Sequence, residues 1–225
     1  MTDAHDPRLD DDDPPDPDNP DIPEPQGPEP KEPGDNRTLS SPINELEQRL
    51  LRQRKVLVFG AITDKVARDV TGRLLALAAD SGKPIDVIVN SPGGHVESGD
   101  TIHDMIRFVD GTAPIRLIGT GWVASAGALI FLGARKQNRV CLPNTRFLLH
   151  QPMGGVRGPA TDIDIEAREI VKMRERINRI IARETGMDLE RVTSDTDRNY
   201  WMAAEEAIAY GMVTRIISEM SDLPG

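Results

Sequence analysis

Two residues with the chemistry of a hydrolase, Ser125 and His150, lie 25 positions apart in a mostly apolar segment. Ser125 stands among small residues in GWVASAGA (121–128), and His150 ends the apolar run RFLLH (146–150). A serine hydroxyl becomes a nucleophile when an adjacent base accepts its proton, and histidine is a common base near neutral pH. Each residue also has an ordinary structural interpretation, as a helix-capping serine or a hydrogen-bonded histidine. The pair predicts a catalytic site if the fold brings both side chains together.

A pair of glycines in NSPGGHVESG (90–99) follows an apolar run and precedes a helical pattern. Glycine lets the backbone approach a ligand closely and direct an N–H group towards it. A helix that begins beside Ser125 would present further N–H groups to a developing oxyanion. A plain turn is the ordinary interpretation of Gly-Gly, so this motif indicates a site only beside a nucleophile.

Alternating strand and helix patterns must position these residues. Apolar residues three and four apart are typical of helices, and short β-rich runs closed by turns are typical of strands. Their alternation predicts an α/β domain with right-handed crossovers. The predicted helices cover 41–54 (with Ser41 as N-cap), 63–84, 96–111, 125–134 and 161–186, and the predicted strands cover 55–60, 85–94, 114–123, 139–144 and 146–152, with two short helices and a final strand in 189–217.

The first 40 residues differ in composition from the rest of the chain. They hold thirteen acidic and three basic residues, which accounts for the whole formal net charge of −10, and ten of the 18 prolines. Such a segment has too little apolar surface to offset the entropy lost on ordering. We therefore predict a disordered acidic tail over 1–40 and a folded domain over 41–220. The tail is interpreted as solubilising or, alternatively, as an arm that gates an entrance or binds a basic partner.

Composition excludes several classes of protein. The single cysteine, Cys141, excludes an internal disulfide framework and is expected to be a packed strand thiol. The first residues lack the cationic and apolar regions of a secretory signal. The uncharged run 117–134 approaches the length of a membrane span, but its glycines favour a buried strand, turn and helix. We find no basic stripe for nucleic acid and no GxxxxGK[ST] motif for ATP.

From about residue 43 to 218 the chain resembles the ClpP family of serine peptidases, the proteolytic subunits of Clp proteases. The resemblance implies a crotonase-like α/β fold with a protruding handle of one strand and a long helix. It also implies a tetradecamer, in which two stacked seven-membered rings enclose a chamber. It rests on five motifs: VNSPGG at 89–94, GWVASAGA at 121–128, LPNTRFLLHQPMGG at 142–155, TDIDIEAREI at 161–170 and DTDRNYWMAAEEAIAYGMV at 195–213.

The resemblance implies a role for each matching residue. Ser125 matches the nucleophile, and His150 matches the base that accepts its proton and later delivers it to the leaving amine. Gly93 and Ala126 match the backbone N–H donors of the oxyanion hole. The segment GGVRGPATDI (154–163) matches the handle, whose backbone pairs with the opposite ring and lies beside an extended substrate peptide.

The chain departs from the family at the third catalytic position. Asn199 stands where the family has an aspartate, 49 residues after His150. An asparagine carbonyl can accept the Nδ1–H of His150, but it carries no charge to stabilise the imidazolium. Asp195 and Asp197 lie nearby and match positions that flank an inter-ring contact. We expect Asp197 and Arg198 to couple ring pairing to the geometry of the site.

The sequence therefore predicts a cytoplasmic, ATP-dependent Clp-type serine endopeptidase without cofactor or metal, acting on unfolded polypeptides and short peptides. Its expected partners are further ring subunits, identical or paralogous, and an AAA+ unfoldase resembling ClpX, ClpA or ClpC; no nucleic acid or membrane is expected. The acidic tail replaces the family's short gating segment, so the sequence does not determine which unfoldase binds. The main alternative is a weakly active or non-catalytic ring subunit that assembles with an active paralogue. An acyl-CoA enzyme of the same fold would need acidic groups beside the oxyanion hole, and the HQP motif argues against a stand-alone signal-peptide-degrading peptidase.

Overall fold

The computed structural model describes residues 42–223, with side chains from residue 45. The predicted tail and the predicted N-cap Ser41 lie outside the described residues, so the boundary near residue 40 stays a prediction. The elements are α1 (Pro42–Arg52), β1 (Lys55–Phe59), α2 (Asp64–Asp80), β2 (Ile85–Ser91), α3 (Val96–Asp110), β3 (Ile115–Ala124), α4 (Ala126–Phe131), β4 (Arg139–Cys141), β5 (Arg146–Leu149), α5 (Ala160–Thr185), α6 (Leu189–Asp195), β6 (Tyr200–Met202), α7 (Ala204–Tyr210) and β7 (Arg215–Ile216).

The strands form one seven-stranded sheet within the described part of the chain. Strands β1, β2, β3, β4 and β7 pair in that order, and all these pairs are parallel. The far end of β3 leaves β4 and pairs with β5, also in parallel. Because β3 serves two neighbours in succession, its carboxyl end at Ala124 lies directly beside β5, and therefore beside the residues that follow β5.

The core lies between the sheet and the helices that cross it. Strand β2 is buried at nearly every position, as expected for a strand that is covered on both faces. Helix α4 is buried along its whole length, which agrees with the prediction that the uncharged run is an internal strand and helix. In the described part of the chain, no helix is long and apolar enough to cross a membrane. Cys141 is buried in β4, and burial raises the pKa of its thiol to about 11, so it is a packing residue as predicted.

Two features differ from the sequence prediction. The segment Tyr200–Met202 forms β6, antiparallel to β5, where only helices and a final strand were predicted. Residues 154–159, the part of the predicted handle segment that precedes α5, carry no strand in this single chain. A strand needs a neighbour to satisfy its N–H and C=O groups, so the handle strand would form only against another subunit.

Helix α5, the expected handle helix, agrees with its predicted bounds to within one residue at each end. Its carboxyl-terminal half packs on the core through Ile177 and Ile181, which are buried. Ile163 and Ile165 near its amino end remain 42% and 52% exposed. Within this chain the apolar residues of α5 are therefore covered only along its second half.

Candidate active site

Ser125 occupies a sharp turn between β3 and α4. Its backbone has φ 55° and ψ −122°, a region that residues with a Cβ rarely adopt. Such a conformation costs about 1–3 kcal/mol and persists where the surroundings impose it, often at functional sites. The Ser125 N–H donates to the Leu148 carbonyl of β5 at 2.9 Å, which fixes the turn. Ser125 occupies the N-cap position of α4, as its structural interpretation expects, but its hydroxyl makes no capping hydrogen bond to the helix.

Glycines around the turn let three backbone segments come close to Ser125. A Cβ on Gly93 would lie 2.5 Å from the Ser125 Cβ, and one on Gly99 would lie 3.1 Å from the Ala126 Cβ. A Cβ on Gly127 would lie 3.1 Å from the Cβ of Ser91. The small residues of both motifs therefore serve one purpose, the close approach of the glycine loop and α3 to the amino end of α4.

His150 follows the last residue of β5 and reaches the same site. Ser125 and His150 line one narrow cavity, whose other walls are mostly apolar. Burial lowers the pKa of His150 below its ordinary value, and a backbone interaction with Gln151 opposes this only in part. A neutral imidazole near pH 7 is the form that can accept a proton from a serine. The wall residues are Val96, Ala126, Leu129, Leu149, Pro152, Ile177 and Ile181.

Asn199 lies on the other side of His150. Both residues line a second, open cavity of about 640 Å³ that continues along Pro152–Gly154 towards Ile170 of the handle helix. No hydrogen bond joins His150 to Ser125 or to Asn199 among the described residues. His150 therefore lines one cavity with Ser125 and another with Asn199, and the three-residue catalytic site stays a prediction.

Gln151, which the sequence analysis did not single out, joins the two segments that carry His150 and Asn199. Its N–H donates to the Thr196 carbonyl at 2.7 Å, and its side-chain Nε2 donates to the Asp197 carbonyl at 2.7 Å. Two bonds from one residue hold the loop before Asn199 against the end of β5. The only signal in the sequence was the position of Gln151 next to the predicted base.

The carboxylates that stand near Asn199 in the sequence have other partners. Both oxygens of Asp195 accept from Arg191 Nε, at 2.9 and 2.8 Å. Asp197 Oδ1 accepts from Arg174 Nη2 at 3.1 Å. Asn199 is thus the better candidate for orienting His150, because each neighbouring carboxylate already accepts a hydrogen bond from an arginine.

The glycine loop presents its N–H groups in two directions. The Gly93 N–H, a predicted oxyanion donor, donates to Ser91 Oγ at 3.0 Å and is therefore engaged in this structure. The Ile62 N–H donates to the Gly93 carbonyl, and the His95 N–H donates to the Ile62 carbonyl, both at 2.9 Å. The Gly93 carbonyl and the Gly94 N–H belong to one trans peptide group and therefore point in opposite directions, so the Gly94 N–H points away from Ile62, towards the β3 side of the sheet.

Ala126, the second predicted donor, is the first residue of α4. The first N–H groups of a helix have no carbonyl partner within the helix, so this N–H is available next to the Ser125 hydroxyl. No group of three or more metal-ligating side chains occurs in the described part of the chain. The chemistry of the site is that of a hydroxyl, an imidazole, an amide and backbone N–H groups.

Comparison with known proteins identifies the family. The model of the Clp protease family matches residues 40–220. The chain belongs to the Clp protease family. It is a serine peptidase with the crotonase-like α/β fold of that family. The ATP-dependent Clp protease proteolytic subunit 2 of Gluconobacter oxydans is 77% identical over 189 residues, which cover 84% of this chain and 85% of that protein.

Two solved structures from Listeria monocytogenes have the same fold as this Clp protease family member. ClpP1 is 49% identical, with a TM-score of 0.71, over 80% of this chain and 99% of that chain. An Asn-to-Asp mutant of ClpP1 is also 49% identical, with a TM-score of 0.73, over 78% of this chain and 98% of that chain. Both matches leave about a fifth of this chain uncovered.

Proposed function

We propose that this Clp protease family member hydrolyses peptide bonds with Ser125 as nucleophile, His150 as general base and Asn199 as the group that orients His150. The strained backbone of Ser125 is the observation that carries the proposal. Its hydroxyl makes no helix-capping bond and lines the same cavity as His150. Strained backbone of this kind is found often at functional sites, where it places a side chain in a defined direction.

The reaction would proceed in two balanced halves. The Ser125 Oγ attacks the peptide carbonyl carbon while its proton passes to His150, and the carbonyl oxygen becomes an oxyanion. The tetrahedral intermediate collapses as His150 protonates the leaving amine, which leaves an acyl group on Ser125. Water then attacks this ester, its proton passes to His150, and the proton returns to Ser125 Oγ as the acid product leaves.

The predicted oxyanion donors are the N–H groups of Gly93 and Ala126. The Ala126 N–H needs no rearrangement, since the helix offers it no partner. The Gly93 N–H would have to exchange Ser91 Oγ for the oxyanion. The Gly94 N–H, which points towards the β3 side, would not, and we therefore add Gly94 to the candidate donors.

A neutral Asn199 would orient His150 by accepting its Nδ1–H through the side-chain carbonyl. The resting structure lacks that bond, so a rotation of one or both side chains would precede catalysis. Apo geometry of this kind does not exclude a catalytic role, because such bonds often form only with substrate present. Substrate or ring assembly is the expected trigger.

The expected assembly is a ring oligomer that receives unfolded polypeptide from a Clp ATPase. We propose two stacked heptamers in the cytoplasm, with an AAA+ unfoldase as partner. The exposed Ile163 and Ile165 of the handle helix support contact between subunits, since both would be covered by a neighbour. Residues 154–159 of the handle segment, which form no strand in the single chain, support the same contact.

A second candidate function is a weakly active ring subunit that works beside an active paralogue. The unlinked His150 and Asn199 and the missing charge at Asn199 favour it. A fluorogenic peptide assay on the purified protein tests the main proposal, with Ser125→Ala as the matched inactive variant and sizing to confirm the same assembly. Hydrolysis that persists in Ser125→Ala would contradict the nucleophile assignment. No hydrolysis by the wild type alone, with activity restored by a paralogue, would favour the second candidate.

A further inference from the structure

A polar cluster lies on the outer side of the glycine loop and consists of Asp64, His95 and Ser98. His95 Nδ1 lies 2.8 Å from Ser98 Oγ and 3.1 Å from Asp64 Oδ1, and Ser98 Oγ donates to the same Asp64 oxygen. His95 is the residue directly after the glycine pair and occupies the N-cap position of α3, without a side-chain capping bond. Asp64 is the first residue of α2, so the cluster joins the beginnings of two helices.

The residue types of this cluster repeat those of a catalytic triad, but its geometry excludes that function. In a triad the serine and the carboxylate contact different ring nitrogens of the histidine. Here Ser98 and Asp64 both contact Nδ1. Nε2 instead lies 3.1 Å from a carboxylate oxygen of Glu97. Ser98 is also only 3% exposed, so its hydroxyl could not reach a polypeptide substrate.

The glycine loop has no side chains with which to fix its own conformation. Gly93 and Gly94 have φ values of 97° and 151°, which only glycine adopts readily. The entry of the loop is held by Ser91, whose hydroxyl donates to the Gly60 carbonyl at 2.7 Å and accepts from the Gly93 N–H. The exit is held by the His95 N–H and by the side-chain cluster, because nothing else follows the glycines before α3 begins.

The position of His95 connects the cluster to the reaction. Val96, the next residue, lines the cavity of Ser125 and His150, and Gly99 packs on Ala126 one turn later. A shift at the start of α3 would therefore move the glycine loop and the wall of the cavity together. Oxyanion donors act only when they lie about 3 Å from the developing charge, so a small displacement lowers the rate.

We propose that His95, held by Ser98 and Asp64, is a positioning residue that fixes the glycine loop so that the loop can present a backbone N–H, first of all that of Gly94, to the oxyanion formed at Ser125. The proposal rests on the proposed function of Ser125. Asp64 is 89% exposed, so its interaction with His95 contributes little to the free energy of unfolding. The buried Ser98 supplies the firmer contact, and the effect of the cluster is expected in turnover more than in stability.

The test is a double-mutant cycle of His95→Ala and Ser98→Ala, assayed for kcat and KM on one short fluorogenic peptide in the full-length, assembled protein. Each single variant is expected to lower kcat about three- to tenfold, the equivalent of one hydrogen bond or two, with KM within about twofold of wild type. The double variant should be no slower than the slower single variant, because both remove the same contact. His95→Asn, whose amide nitrogen replaces Nδ1, should recover most of kcat.

Lys65→Ala is the matched control, since Lys65 is next to Asp64, is 77% exposed and, among the described residues, pairs with Asp69 and not with the cluster. A second readout is the rate at which a fluorophosphonate labels Ser125, which needs oxyanion donors but no turnover. Unchanged kcat and labelling in His95→Ala, additive effects in the double variant, or an effect on KM alone would overturn the proposal. Ser125→Ala is measured in parallel. If Ser125→Ala retains activity, the proposed function fails. If Ser125→Ala is inactive while the His95 and Ser98 variants keep the wild-type kcat, only this inference is refuted.

Discussion

A Cβ on Gly93 would lie 2.5 Å from the Cβ of Ser125 and 3.0 Å from its Oγ. No pair of side-chain atoms tolerates the first distance, so the glycine loop and the nucleophile turn share a space that admits only hydrogen at Gly93. The φ of 97° at this glycine adds a second constraint of the same kind. The two motifs that were separate in the sequence are one contact in the structure.

Gly93→Ala is therefore expected to lower peptide hydrolysis at least about a hundredfold, because the loop must retreat from Ser125 and take its donors with it. The melting temperature should also fall. Gly72→Ala is the matched control, since Gly72 lies inside α2 with no atom within 4 Å of the added Cβ. There alanine should be neutral or should stabilise by about 0.5–1 kcal/mol. Wild-type activity in Gly93→Ala would show that the glycine loop does not serve the reaction.

Replacing Asn199 tests the orienting role. Asn199→Asp is expected to preserve or raise kcat, because a carboxylate accepts Nδ1–H and opposes the charge that forms on His150. Asn199→Ala should lower kcat about tenfold and change KM little, since the lost bond strengthens only in the transition state. The measurement is kcat and KM on one peptide, with assembly checked by sizing. If Asn199→Ala is as fast as wild type in intact rings, Asn199 does not orient His150 and another group does.

The pH dependence of the same variants has a defined direction. Burial lowers the pKa of His150, so kcat/KM of the wild type should fall only below the ordinary imidazole range, as the base becomes protonated. A carboxylate at position 199 would favour the imidazolium and raise that pKa. The acid limb of Asn199→Asp should therefore lie at higher pH than that of the wild type. An acid limb that does not move would indicate that residue 199 and His150 do not interact.

His103 is expected to make stability depend on pH. It is 2% exposed, its Nδ1 lies 2.8 Å from the Leu129 carbonyl, and burial lowers its pKa. The unfolded chain then binds a proton at His103 more readily than the folded chain. The stability that the neutral His103 contributes is therefore present above about pH 6.5 and is lost as the pH falls below this value. His103→Asn keeps a donor for Leu129 without a titrating ring. Its melting temperature should fall less between about pH 7.5 and about pH 5.5 than that of the wild type, at one protein concentration; an equal fall would exclude His103 as a source.

Removing residues 1–40 is expected to leave the melting temperature within about 2 °C of the full-length value, because the segment holds almost no core-forming residues. Thermal unfolding and sizing of both proteins are the measurements. A fall of many degrees, or dissociation of the assembly, would show that the acidic segment is part of the folded structure. Changed entry of a long substrate with unchanged short-peptide hydrolysis would support its role as a gating arm.

The sequence by itself determined the family and most elements, and it predicted Ser125, His150 and Asn199, of which His150 shares a cavity with each of the other two. Spacing sufficed for α5 and for the run around Ser125, because long helical periods and uncharged strands have strong local signals. β6 was missed because three residues of strand are stabilised by pairing with β5, and the paired residues lie 51 to 55 positions apart in the chain. Only the tertiary structure showed that the Ser125 hydroxyl makes no helix-capping bond and that Asp195 and Asp197 accept hydrogen bonds from arginines. It also showed that the Gly93 N–H donates to the Ser91 hydroxyl. These facts depend on the direction of individual donors, which is decided when distant segments pack together.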